Sequence, residues 1–113
     1  MDTFTRRYIE AALWSSTDDN GESLDLYTVD DIAPETLAAM QEDCEAFQSE
    51  HADAITEDLG RAGHDFWLTR NRHGAGFLDG DWSKEVGKRL TEASHAYGGA
   101  YLYVGDDGLI HGS

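Results

Sequence analysis

The spacing of apolar positions changes character along the chain. From Thr3 to Ser15, Phe4, Tyr8 and Ala12, joined by Leu13, fall on one side of a helix, with Arg6, Arg7 and Glu10 mostly on the other. Thr3 or Thr5 would cap this first helix. Residues 16–25, Ser-Thr-Asp-Asp-Asn-Gly-Glu-Ser-Leu-Asp, have no period and read as an exposed acidic loop. Thr28-Val-Asp-Asp-Ile would close one helical turn.

The clearest periodicity begins at Pro34, whose missing N–H costs nothing at a first helical position. Leu37, Met40, Cys44, Phe47, His51, Ala54 and Ile55 recur at three- to four-residue intervals and predict one buried face. Gly60 and Gly63 would end this helix. The texture then shifts to His64-Asp-Phe-Trp-Leu-Thr-Arg-Asn, where Phe66 and Leu68 alternate with Trp67 and Thr69, as in a strand. Arg72-His-Gly-Ala-Gly would turn the chain, and Phe77-Leu78 would start a return strand. Asp81 or Ser83 would cap a further helix to Tyr97, with Val86, Leu90, Ala93 and Tyr97 inward and Gly98-Gly99 as its stop. Ala100–Val104 and Leu109–His111, joined at Asp106-Asp107-Gly108, read as a second hairpin.

The order α-α-β-β-α-β-β predicts an α+β fold. Two N-terminal helices would pack on a small, mainly antiparallel sheet of two hairpins, with the third helix between the hairpins. A length of 113 residues suits a single domain spanning 1–113. Three Trp, four Phe and five Tyr supply large side chains for its core, and Trp14, Trp67 and Trp82 are expected there.

Charge changes the picture most. Residues 1–60 hold 16 acids against Arg6 and Arg7, a net charge of −14. Residues 61–113 are near balance, with 7 acids and 6 bases. Such a surface repels nucleic acid and anionic membranes and attracts basic proteins. No Lys or Arg occurs from residue 8 to residue 60, whereas ordinary solvated helices mix both signs. Carboxylates three to four residues apart on a helix lie about 5–6 Å apart, and several turns of them imitate the phosphates of a duplex. Asp18, Asp19, Glu22 and Asp25 in the loop, with Glu42, Asp43, Glu50, Asp53 and Glu57 on the helix, are the candidate partner-binding residues. The bland alternative is that these acids serve solubility or a high-salt cell.

A second group is His64, Asp65, Arg70, Asn71 and His73, gathered about the Gly-rich turn. His and Asp could act as acid, base or ligand. The spacing matches no standard metal motif, and Gly74-Ala-Gly76 lacks the strand–loop–helix setting of a phosphate loop. Neither metal nor cofactor is expected, and catalysis is not the leading reading. Cys44, the single cysteine, excludes an internal disulfide and reads as an inert core thiol; a reducing compartment fits. Met-Asp-Thr-Phe-Thr-Arg-Arg is followed by no apolar run of about 7–15 residues, so no secretory leader is expected.

The segment Gly63–Phe77 resembles a family of small acidic bacteriophage and prophage proteins of undescribed function. Their shared signature is Gly-His-Asp-Phe-Trp-Leu-Thr-Arg-Asn, one residue, then His-Gly-Ala-Gly-Phe, and every one of those positions is present here. Weaker likeness extends to Tyr8–Trp14, Asp43–Phe47 and Tyr103–Gly108. The chain departs at Arg72, where the family has Gly, and at Leu78-Asp-Gly-Asp, where an aromatic and a charged turn are usual. The resemblance implies a phage origin and a host-cytoplasm setting, and brings no activity.

Together these features point to a non-enzymatic acidic phage protein that binds a basic surface of a host protein, such as a nucleic-acid mimic inhibiting a defence system. Direct nucleic-acid or membrane binding is not expected. The alternative is a small ligand-binding protein or enzyme built on His64, Asp65, Arg70, Asn71 and His73. A third reading is an accessory component of a homo-oligomer.

Overall fold

The computed structural model describes residues 1–18, 20–74 and 76–112. Its helices are α1 (Thr3–Ser15), α2 (Pro34–Ile55), α3 (Leu59–Arg70) and α4 (Lys84–Tyr97). Strands β1 (Leu102–Val104) and β2 (Ile110–Gly112) form a two-stranded antiparallel hairpin. Single 3-10 turns lie at Leu24–Leu26, Val29–Asp31 and Gly76–Leu78. The expected α+β arrangement of helices on a four-stranded sheet is therefore overturned. The protein is mainly helical, and the only sheet among the described residues is the C-terminal hairpin.

The correction falls on residues 59–78. The expected first hairpin, with Phe66 and Leu68 on one strand face, is instead helix α3 followed by a turn. Four alternating residues are too short a signal to compete with the longer helical one. Ala62, Gly63, Phe66, Trp67 and Arg70 recur at three- and four-residue steps and are all buried. Asp58 caps the helix, its Oδ1 accepting the Arg61 N–H at 3.0 Å. Gly60 and Gly63 thus lie inside α3 and do not terminate α2. Gly63 is there for contact: a Cβ would collide with the Phe4 carbonyl oxygen of α1. The helix stops at Asn71, and Arg72 turns the chain with a left-handed φ of 57°. Phe77, expected to begin a strand, sits in a 3-10 turn and is fully buried.

Elsewhere periodicity is a good guide. Asp2, not Thr3 or Thr5, caps α1, accepting the Thr5 N–H at 2.8 Å. Thr28 and Asp31 close a capping box around the predicted single turn. In α2 the stripe Met40, Cys44, Phe47, His51 and Ile55 is buried, and the helix kinks at His51, whose φ/ψ are −125° and 19°. Ser83 caps α4 and Gly98, with φ of 75°, ends it. In the hairpin Tyr103 faces His111, and β2 is tied to the segment before α2 by the Ala33 N–H donating to the Ile110 carbonyl at 2.8 Å.

The core is aromatic. Phe47 of α2 stacks on Phe66 of α3 at 4.1 Å between ring centroids, and Phe4, Tyr8, Phe77 and Tyr97 pack around the pair. Leu24, inside the expected exposed loop, is fully buried as well. Trp67 is in the core and Trp82 is half-buried, but Trp14 is 63% exposed, against the expectation that all three are core.

Candidate functional site

Helix geometry separates α2 into two faces. At about 100° per residue, Glu35, Glu42 and Glu45 fall on the side opposite Met40, Cys44 and Phe47, with Glu50 at its margin, and all four are exposed. They extend over about 22 Å at a rise of 1.5 Å per residue. Glu35 and Glu50 keep 76% and 63% of their side-chain surface in solvent.

Two of the candidate acids are not free on this face. Asp43 Oδ2 accepts from Arg70 Nη1 at 2.8 Å. Asp53 is gripped by Arg89 of α4 through two 3.0 Å bonds, which hold its carboxyl below the usual carboxylate range. Asp18 is also occupied, folding its own loop by accepting the N–H groups of Asn20 and Glu22 at 2.8 and 3.0 Å. Glu22, Asp25 and Glu57 are exposed but lie off the α2 face, in the loop before the helix and just after its end. Asp19 lies outside the described residues.

The second group does not converge. Arg70, expected beside the Gly-rich turn, is buried and structural. Its Nη1 donates to the Tyr8 hydroxyl at 3.0 Å, its Nε to the Gly98 carbonyl at 2.9 Å and its Nη2 to the Tyr97 carbonyl at 3.3 Å. The guanidinium also lies over the rings of Phe66 and Tyr97, 5.5 and 5.6 Å from their centres. Asn71 braces the junction after α4, its Oδ1 accepting the Ala100 N–H at 2.7 Å while its Nδ2 donates to the Trp67 carbonyl. His73 is exposed on the turn.

His64 and Asp65 do meet. The buried Asp65 carboxyl takes the Trp82 Nε1–H at 2.8 Å and lies 3.2 Å from His64 Nδ1. Burial raises the Asp65 carboxyl above its ordinary range, while the bonds from Trp82 and His64 oppose the shift. A carboxylate only accepts, so an ionised Asp65 fixes the His64 proton on Nδ1.

His64 lines a surface cleft of about 580 Å³ between α1 and α3, together with Arg7, Glu10, Trp14, Asp58 and Arg61. Sequence reasoning missed this site. Arg7, Glu10 and Trp14 follow an i, i+3, i+7 stripe that was readable, but Arg61 and His64 join it only once residues 59–70 are a helix.

Cys44 is fully buried, and burial pushes its thiol up to about 12, so it is inert in the folded chain. Among the described residues no three His, Cys, Asp or Glu side chains gather as a metal site, and no helix is long and apolar enough to cross a membrane. No family model, curated protein or solved structure matches the chain.

Proposed function

We propose that the protein is a non-enzymatic interaction protein whose acidic α2 face docks on a basic, nucleic-acid-binding surface of a host protein. It occupies that surface in place of phosphates and so inhibits its owner, a defence factor or another DNA-binding protein. The phage origin and host-cytoplasm setting implied by Gly63–Phe77 belong to this proposal.

One observation carries the reading: four exposed glutamates on one side of α2, with no Lys or Arg between residues 8 and 60 to neutralise them. One DNA strand carries about six phosphates over the same ~22 Å, at 3.4 Å per charge. The glutamates supply more than half that density, from a rigid helix. The ligand-site alternative loses support because Arg70 and Asn71 are spent on structure and His73 stands apart.

The test is charge reversal of the exposed acids Glu35, Glu42, Glu45 and Glu50 to Lys, in a pull-down from bacterial lysate at low and high salt. Exposed charges contribute little to stability, so the variant folds. A partner that is retained by the native chain at low salt and lost with the variant supports the proposal. Equal capture by both chains refutes it.

A further inference from the structure

In a chain of net charge −15, the α1–α3 cleft is a local exception. Two of the eight Lys and Arg residues, Arg7 and Arg61, line it with His64. It also opens at the N-terminal end of α3, where the Asp58 carboxylate caps the first turn. Arg7 is laid over this first turn: a Cβ on Gly60 would stand 3.5 Å from Arg7 Cγ and 3.7 Å from its Nε. Both arginines are only loosely engaged, Arg7 with Glu10 at 3.5 Å and Arg61 with Asp81 at 3.8 Å, in exposed pairs that a better anion displaces. His64 is held differently. Its Nδ1 lies against the buried Asp65, which Trp82 anchors in turn, leaving Nε2 as the ring atom with no partner among the described residues. The remaining wall is Trp14, a large apolar ring exposed beside the charges. A volume near 580 Å³ lies within the range of small-molecule sites.

We propose that this cleft binds a small ligand in which a planar aromatic ring is joined to an anionic group and to hydrogen-bond donors, the chemistry of a nucleoside monophosphate. The Trp14 ring stacks on the base. Arg7 and Arg61 hold the phosphate, as guanidinium groups do in paired hydrogen bonds, while His64 Nε2, the acceptor end of a ring protonated on Nδ1, takes a hydroxyl or amine hydrogen of the ligand. Glu10 and Asp58, acceptors on the same walls, take the ribose hydroxyls or an exocyclic amine. This site stands apart from the α2 face, so its failure leaves the proposed function untouched.

The test titrates the full chain with adenosine monophosphate, inorganic phosphate and adenosine, following tryptophan fluorescence and backbone amide shifts. The monophosphate is expected to saturate and to shift amides at the end of α1 and the start of α3. Phosphate or adenosine alone should bind at least about ten-fold more weakly. The double variant Arg7→Gln/Arg61→Gln and the single variant Trp14→Ala should each weaken the monophosphate by about ten-fold. All these positions are exposed, so the variants fold, which their unchanged amide spectra away from the cleft would show. Absence of saturation at millimolar ligand, shifts confined to another region, or unchanged affinity in both variants would overturn the proposal.

Discussion

Gly63 in α3 abuts the backbone of Phe4 in α1, so that a Cβ at residue 63 would collide with the Phe4 carbonyl oxygen. The two helices cross where one of them has no side chain. The largest interhelical contact in the molecule is built on that crossing. Gly63→Ala should therefore cost about 3 kcal/mol, the upper end of overpacking, because backbone rather than a movable side chain is in the way. Gly60, one turn earlier, is the control. A Cβ there meets only ordinary contacts of 3.5 Å and beyond, and Gly60→Ala should stabilise by about 0.5 kcal/mol. Urea denaturation of the two variants checks the pair; similar losses for both would contradict this packing.

Arg72 occupies a left-handed backbone conformation, φ 57°, just after α3. Arg72→Gly should raise stability by about 1 kcal/mol, the cost a side chain incurs in that region. The same denaturation measurement reads it, and a loss of stability would show that Arg72 makes a compensating contact.

Arg70 should behave as a structural residue. Arg70→Met leaves the Gly98 and Tyr97 carbonyls, the Tyr8 hydroxyl and the Asp43 carboxylate without their donor, at about 3–5 kcal/mol. Asp43→Asn should cost only about 1 kcal/mol, since Asp43 is 40% exposed and solvent screens the pair. An Arg70→Met chain that remains as stable as the native one would return Arg70 to the list of ligand-binding candidates.

His51 gives the fold a pH dependence. Both its ring nitrogens are buried without hydrogen-bond partners among the described residues. Burial, with Arg89 nearby, lowers its proton affinity below the ordinary 6.5, against the opposing pull of Glu50 and Asp53. The unfolded chain therefore takes up this proton first as pH falls. Stability is full above 6.5 and declines as the pH drops from 6.5 towards the lowered folded value. His51→Leu should remove this decline and add about 1 kcal/mol at neutral pH by eliminating an unsatisfied buried group. Denaturation midpoints across mildly acidic pH provide the check, and an identical decline in the variant would assign it to another residue.

Local pattern made α1, α2, α4 and the C-terminal hairpin legible, because each combines a clean period with its own cap or turn residues. Residues 59–70 were not legible for two physical reasons. Aromatic and β-branched side chains at 66–69 mimic a strand over four residues, and Gly63 looks like a helix breaker until its tertiary role against Phe4 is known. The acidic face of α2 followed from helical geometry alone. Which acids on it are free did not, because Asp43 and Asp53 are claimed by arginines 27 and 36 residues away. Trp14 was misplaced because its large apolar ring suggested the core, whereas its position in α1 aligns it with Arg7 and Glu10.

The central claim is that the α2 face takes the place of nucleic acid on a basic protein surface. Competition tests it most directly: the partner retained at low salt is purified, and its binding to the native chain is measured against increasing concentrations of a short DNA duplex. Mutual exclusion is expected, with the duplex displacing the chain, affinity falling as salt rises, and the Glu35, Glu42, Glu45 and Glu50 reversal failing to compete. Simultaneous binding of duplex and chain to the partner, at an affinity insensitive to salt, would contradict it.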